Sequence, residues 1–250
     1  RGYADDLITN NLVNWSMKKY LIKYSLEFLV IVLGISISFW LNQITVEGEI
    51  NQQRSRLLEN LLLEVEEIEK YCADRLKIWN QDVEIYSKLF EEKLDIEAVE
   101  ELAISKSRVE YNLIYYRDFS PPINRYISAV NTGDLKYIKS QEIVDALTRL
   151  HNQNFNMVQS TVEYEKSLKT KLISLLTSNY PNVILNGENN NVSMESYLDS
   201  LHKIIIENEN IRSELLIQMR YFKTRVSFLK FYLITLDELK FAINQELKIN

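Results

Sequence analysis

The hydrophobic and polar positions divide the chain into two parts with different patterns. No residue from Phe28 to Val46 carries a charge, and aromatic residues stand near both ends of this segment. At about 1.5 Å per residue, residues 20–40 extend about 30 Å, which matches the hydrocarbon core of a bilayer. The pattern therefore predicts a transmembrane helix over residues 20–46, with the lipid bilayer as its partner.

Two other interpretations of this segment stay open, namely a cleaved signal peptide and a buried helix of a soluble protein. No small-x-small cleavage site follows Trp40, and soluble helices rarely stay uncharged for so long. Three lysines precede the segment and two glutamates follow it. The positive-inside rule then predicts a single-pass protein of the bacterial inner membrane, with a cytoplasmic N-terminus and residues 47–250 in the periplasm.

The residues before the segment allow two interpretations. Ile8, Leu12 and Trp15 fall on one helical face, which indicates a short amphipathic helix at the membrane surface. Alternatively, Met17 is the natural start and the preceding residues are an extension. We treat residues 1–19 as a cytoplasmic or membrane-surface segment.

Two features of the predicted anchor are candidates for function. Glu27 is an ionisable group near its inner end, and such groups in membranes often act in transport. The alternative is that Glu27 pairs with Lys23 one turn earlier at the headgroup boundary. Gly34 and Ser38 form a small-xxx-small pair, which permits close helix–helix packing and therefore oligomerisation.

After the anchor, apolar residues recur at spacings of three and four, which predicts a helix of about forty residues with one apolar stripe. The stripe comprises Leu57, Leu61, Val65, Ile68, Cys72, Leu76, Trp79, Val83, Tyr86 and Phe90. We interpret Cys72 as a small core residue, because no neighbouring base lowers the pKa of its thiol.

The remaining pattern predicts further helices over residues 96–116, 123–130 and 140–176, and a last helix from Ser193. Pro181, Gly187 and three consecutive asparagines predict a surface loop over residues 179–192. A heptad-like seam on the last helix predicts a close-packed antiparallel partner. It comprises Leu215, Met219, Phe222, Val226, Leu229, Leu233 and Leu236.

Composition supports a helical fold, since the 250 residues include only five Gly and three Pro, the residues that tight turns require. We therefore predict an all-α protein in which one N-terminal transmembrane helix precedes an antiparallel bundle of long helices. The net charge of −6, with acidic and basic residues interspersed, argues against nucleic acid as a partner.

No constellation of residues predicts an enzyme, a metal site or a cofactor. His151 and His202 are far apart in sequence and lack the spacing of metal ligands. The glutamates between 64 and 69 lack the His partners typical of di-metal bundle sites, and Glu66 and Glu67 are expected to face solvent.

Aromatic residues concentrate around Pro121-Pro122, and tyrosine is enriched at recognition surfaces. The candidates for partner binding are Tyr111, Tyr115, Tyr116, Phe119 and Tyr126. The alternative is that these rings fill an irregular corner of the bundle.

The chain also resembles an uncharacterised family of single-pass membrane proteins of Bacteroidota, with an N-terminal anchor and a helical extracytoplasmic domain. The similar motifs are Glu27, Gly34-Ile35 and Asn42 in the anchor, then Phe119-Ser120-Pro121, Gly133-Asp134-Leu135 and Glu142-Ile143. The usual Asn-x-Trp after the anchor is replaced by Gln43-Ile44. The resemblance implies the anchor and the helical domain, and it implies no activity.

These observations favour a non-enzymatic interaction or scaffold protein of the cell envelope, which binds a partner protein or self-associates. One alternative is an oligomeric channel or ion pathway that uses Glu27. Another is an extracytoplasmic sensor domain, although the short N-terminal segment contains no output domain.

Overall fold

The structure is a computed structural model that describes the backbone of residues 2–249 and the side chains of residues 23–248. No strand occurs among residues 2–249, so the predicted all-α fold is confirmed for this part of the chain. The α-helices are α1 Gly2–Leu89, α2 Ile96–Ala103, α3 Lys106–Ile114, α4 Asn124–Thr132, α5 Gln141–Thr148, α6 Phe155–Asn179, α7 Pro181–Glu188, α8 Met194–Glu207 and α9 Glu209–Ile249. A 3₁₀ turn, Asp134–Tyr137, follows α4, and a π-helical turn, Arg149–Asn154, joins α5 to α6.

The chain divides into two compact units, Arg1–Arg54 and Ser55–Asn250. In the first unit, every residue from 23 to 49 is exposed. Among the described side chains, only α1 contains a stretch that is long and apolar enough to cross a membrane, and none of that stretch is buried. The predicted amphipathic face before Met17 concerns side chains outside the described residues, and so does Tyr20, one of the aromatic residues near the N-terminal end of the predicted transmembrane helix.

In the second unit, the predicted apolar stripe of α1 is confirmed. Leu61, Val65, Ile68 and Cys72 are all at most 2% exposed. Cys72 is a core residue, as expected, and burial raises the pKa of its thiol to about 12. The stripe packs with α4–α6 and α9 in one apolar cluster, and its last turns pack with α2, α3, α7 and α8 in another.

The seam predicted on the last helix lies inside the domain. Leu215, Leu229 and Leu236 are at most 1% exposed, and α9 packs along α5 and α6. This seam is therefore occupied within the chain, and it is not available to a partner protein.

Three predicted segments differ from the structure. The last helix, expected from Ser193 onwards as one element, is two helices, α8 and α9, which are separated at Asn208. The helix expected over 96–116 is two helices, because Ile104 has a φ of 65° and ends α2, while the Ser105 hydroxyl accepts the Arg108 amide and begins α3. The loop expected over 179–192 is wrong over residues 181–188, which form α7. Pro181 stands at the start of α7, where its missing N–H costs nothing and its fixed φ suits a helix.

Glu64 of α1 caps α4 from outside that helix. Its side chain is 2% exposed, and its carboxylate accepts the backbone amide of Tyr126 at 3.0 Å and also that of Arg125. The residue before α4, Ile123, makes no capping bond of its own. Glu67 lies one turn further along α1 and forms a bidentate ion pair with the Arg125 guanidinium at 2.7 and 2.9 Å.

We expect Glu64→Ala to lower the free energy of unfolding by about 1–2 kcal/mol, because it leaves first-turn amides of α4 without their acceptor. Urea denaturation of the full chain in detergent measures the change. Glu66→Ala is the matched control, since Glu66 is exposed on the same helix. Equal losses for the two variants would show that the cap does not contribute.

Candidate functional site

A layer of buried charged residues lies between the two apolar clusters of the domain. On α6, Glu165 and Lys169 separate Val162 of the first cluster from Leu172 of the second. On α9, Arg225 stands just before Val226, where the first cluster begins. Asp82 takes the same place on α1, between Trp79 and Ile85. We call Asp82, Glu165, Lys169 and Arg225 the buried charge layer; each is at most 5% exposed.

Glu165 holds the two buried cations together. Its Oε1 lies 3.1 Å from Lys169 Nζ, and its Oε2 lies 2.6 Å from an Arg225 guanidinium nitrogen. All three side chains are 2–3% exposed, so water does not screen these pairs. Removing one partner from such a set leaves an uncompensated buried charge.

Further contacts fix the Arg225 guanidinium. Its Nε donates to the Thr161 hydroxyl at 3.1 Å, and a terminal nitrogen donates to the Thr161 carbonyl at 3.0 Å. The guanidinium also stacks on the rings of Trp79 and Phe222, at 5.1 and 5.3 Å from their centroids. A planar cation on aromatic faces recovers part of the hydration that burial removes.

Lys169 connects the layer to the end of α3. Its Nζ donates to the Asn112 carbonyl at 2.7 Å and to the Tyr115 carbonyl. These carbonyls belong to the last turn and the C-cap of α3, where a cation is favourable. Burial lowers the pKa of Lys169 to about 8, although Glu165 opposes the shift, so the amine is mostly protonated at neutral pH.

Asp82 connects the layer to the surface. Its carboxylate pairs with Arg108 of α3 and lies 3.4 Å from Arg117 Nε, and the Arg117 guanidinium covers the Tyr111 ring at 4.3 Å. Four helices, α1, α3, α6 and α9, and the segment after α3 therefore meet at the buried charge layer and its partners.

Next to this layer, three of the predicted aromatic residues lie together with two cations; two of the rings are exposed and the third is half-buried. The Tyr111 and Tyr115 rings stack at 5.0 Å and 23°, and Tyr111 donates its hydroxyl proton to the Tyr116 carbonyl at 3.3 Å. Lys166 Nζ lies 4.7 Å from the Tyr116 ring. We call Tyr111, Tyr115, Tyr116, Arg117 and Lys166 the tyrosine surface. Tyr115 is 57% exposed and Tyr116 is 38% exposed.

The other two predicted aromatic residues lie elsewhere. Phe119 is 2% exposed and packs against the rings of Trp79 and Tyr232, so it is a core residue and no partner can reach it. Tyr126 is partly buried and stacks on the His151 imidazole at 3.7 Å and 8°. Neither ring therefore belongs to the exposed aromatic group of Tyr115 and Tyr116.

The candidate residues of the predicted anchor are exposed. Glu27 Oε1 lies 3.9 Å from Lys23 Nζ, which is the local ion pair considered from the sequence. Gly34 has no neighbouring atom within 4 Å of the place a Cβ would take. The Ser38 hydroxyl donates to the Gly34 carbonyl at 2.8 Å. Gly34 and Ser38 lie in a shallow groove together with Ile31, Ile35, Phe39 and Asn42.

The sequence pattern did contain a signal for the buried charge layer. Val158, Val162, Glu165, Lys169, Leu172 and Leu176 follow one another at spacings of four and three, so two charged residues occupy positions of an apolar seam. The apolar residues of this stretch alone predict a helix and do not indicate the buried charges. Neither the ion partners nor the α3 carbonyls can be identified without the tertiary structure.

The arrangement suits a rigid support for a binding surface. Among residues 23–248, no group of three or more His, Cys, Asp or Glu side chains is placed to hold a metal ion. Lys169 and Arg225 are paired with the Glu165 carboxylate and with backbone carbonyls, so fixed partners surround both buried cations. Comparison of the chain with protein-family models, with curated proteins and with solved structures finds no match.

Proposed function

We propose that this chain is a single-pass protein of the bacterial inner membrane whose helical domain, an antiparallel bundle in the periplasm, binds another envelope protein through the tyrosine surface. The observation that carries the proposal is the pair of exposed rings of Tyr115 and Tyr116, beside the half-buried ring of Tyr111, on a backbone that the buried Lys169 holds through the Tyr115 carbonyl. The protein acts as an anchored interaction module and not as an enzyme.

The anchor rests on the exposed, uncharged segment of α1. An apolar helical surface of this length in contact with water costs about 25 cal/mol per Å², so a bilayer is its favourable surrounding. The ion pair of Lys23 with Glu27 at the inner end suits the headgroup boundary. The resemblance to the Bacteroidota family of anchored helical proteins supports the same topology. The groove at Gly34 and Ser38 suits association of two anchors.

Two properties support binding through the tyrosine surface: the chemistry of tyrosine side chains and the contacts that fix this segment. Tyrosine offers a large apolar face and a hydroxyl while it loses little conformational entropy when it is immobilised. Lys169 and Arg117 hold the backbone and the ring of this segment in place before a partner arrives. A surface that is already ordered loses less conformational entropy when a partner binds.

The test compares alanine variants of two tyrosines. Each variant of the full chain is cross-linked in native membranes and purified, and the partner protein recovered with it is measured. Tyr115→Ala is expected to reduce the partner recovered with the wild-type chain by about 30-fold, since an aromatic hot spot contributes about 2 kcal/mol. Tyr164→Ala is the matched control, because Tyr164 is also 57% exposed and stacks on Tyr221 with nearly the same geometry, 5.1 Å and 23°. Equal recovery with both variants would contradict the proposal.

A further inference from the structure

The outer face of α9 carries a second seam, distinct from the one buried inside the domain. Its members are Phe231, Ile234, Glu238, Phe241 and Gln245, all exposed and spaced by three, four, three and four residues. We call these five residues the outer seam. Phe231 is 55% exposed, Ile234 54% and Phe241 62%, the largest apolar side chains on this face.

The spacing of the outer seam is that of the a and d positions of a coiled coil, with Phe231 and Glu238 at a and Ile234 and Phe241 at d. By 100° per residue, the three large apolar side chains fall within about 80° of arc on one side of the helix. The inner side of the same turns is already packed, since Leu229, Tyr232 and Leu236 are at most 1% exposed. An exposed apolar stripe of this kind marks an interaction surface, and its spacing favours another helix.

Charge at the centre of the outer seam favours a second copy of the same chain. Glu238 Oε2 accepts from an Arg149 guanidinium nitrogen at 2.7 Å, and both side chains are about half exposed, 50% and 49%. Each copy therefore presents an acid and a base side by side at one position of the seam. Two copies related by a two-fold axis bring Arg149 of each chain next to Glu238 of the other.

A polar residue at an a position is known to set the register and the number of strands of a coiled coil, and Glu238 takes such a position at the centre of the outer seam. The guanidinium has five N–H donors, so Arg149 bonds Glu238 of its own chain and that of the second copy with separate N–H groups. Anchoring in one bilayer brings two copies of the chain close together, and in a parallel coiled coil each a and d position meets its own counterpart.

We propose that two copies of this chain pair in parallel through the outer seam of α9, with Glu238 and Arg149 of both copies forming a four-membered ion cluster between Ile234 and Phe241. The pairing rests on the anchoring given in the proposed function, and it uses a surface separate from the tyrosine surface. Each Phe231, Ile234 and Phe241 then packs against its own counterpart.

The first experiment is disulfide cross-linking of the full chain in isolated bacterial membranes under mild oxidation. Ile234→Cys and Phe241→Cys are each expected to give a covalent dimer in more than half of the chains, because parallel d positions face each other. In an antiparallel pair, at most one of these two positions lies opposite the same position of the second copy. The native Cys72 remains in all variants, since its side chain is fully buried. Lys203→Cys on α8, whose side chain is 71% exposed, is the control and should give no dimer.

The second experiment exchanges the charges. Glu238→Arg places only positive charge at the centre of the outer seam and is expected to reduce the dimer fraction at least tenfold, whereas adding Arg149→Glu restores it. The double exchange also restores the ion pair within one chain. Glu238→Arg chains are therefore mixed with Arg149→Glu chains, each of which lacks its internal pair, and cross-linking between the two variants shows that the charges pair between copies. Circular dichroism confirms that each variant is folded.

Several results would overturn the pairing. One is no dimer from either cysteine while carbonate extraction leaves the chain in the membrane; the anchoring then stands and this inference alone fails. Cross-links to a different protein, or equal cross-linking at Lys203→Cys, would have the same consequence. Release of the chain by carbonate would overturn the anchoring and the pairing together. Tyr115→Ala should leave the cross-links unchanged, because it alters only the tyrosine surface.

Discussion

Replacing Glu165 with Ala lowers the free energy of unfolding by about 3–5 kcal/mol, the expected cost of removing one partner from a buried ion pair. The variant leaves Lys169 and Arg225 as neighbouring cations, each at most 2% exposed, without the carboxylate between them. Their remaining partners are neutral oxygens of Thr161, Asn112 and Tyr115. Those bonds do not balance two positive charges in a region from which water is excluded.

Denaturation by urea, followed by circular dichroism on the full chain in detergent, measures this loss. Glu163→Ala is the matched control, because Glu163 lies on the same helix and pairs with Lys166 at 3.0 Å while its side chain is 55% exposed. Exposed pairs of this kind contribute little to stability, and we expect no measurable change. A loss below about 1 kcal/mol for Glu165→Ala would show that the layer is hydrated or rearranges.

The wild-type domain loses stability as the pH falls from about 6.5 towards 4, and His151→Phe removes most of this dependence. Burial lowers the pKa of His151 from 6.5 to about 4. Between these values the unfolded chain binds a proton that the folded chain does not, so acid favours unfolding. A shift of this size corresponds to about 3 kcal/mol. At pH 7 and above, the contribution of His151 no longer varies with pH.

The geometry explains why protonation of His151 is unfavourable. The ring stacks face to face on Tyr126, and its Nδ1 is buried with no hydrogen-bond partner among the described residues. Phenylalanine retains an aromatic ring for the stack and cannot be protonated, which makes it the matched replacement. Burial raises the pKa of Glu64 and of Glu110. Protonation of these carboxyl groups at low pH therefore favours the folded chain, which is opposite to the effect of His151.

Urea denaturation of both proteins at several pH values between 4 and 8 checks this expectation. Subtracting the two curves cancels the carboxyl groups, because both proteins contain them. The difference should grow steadily as the pH falls and level off below about 4. Parallel curves would mean that His151 is accessible to water in the folded protein.

The local pattern of the sequence was a good guide where it reflects one helix. Spacing alone predicts the stripe from Leu57 to Tyr86 and the heptad-like seam of α9 from Leu215 to Leu236, since a helix must bury its apolar face. Pro181 is compatible with two interpretations, because proline occurs both after the end of a helix and at its first position. The nearby Gly187 and Asn189 favoured the loop, which is wrong over residues 181–188. The break at Ile104 could not be predicted, because an isoleucine rarely adopts a positive φ.

What the sequence by itself determined is the set of apolar faces: an uncharged segment from Phe28 to Val46, and amphipathic helices behind it that must pack together. The tertiary structure alone decided which charges are buried and which tyrosines remain at the surface. Glu165 and Glu163 look alike along the chain, and only packing against Arg225 and Lys169 makes one of them a core residue. The reason is physical: the energy of a charge depends on its surroundings, and those surroundings come from segments that are distant in sequence.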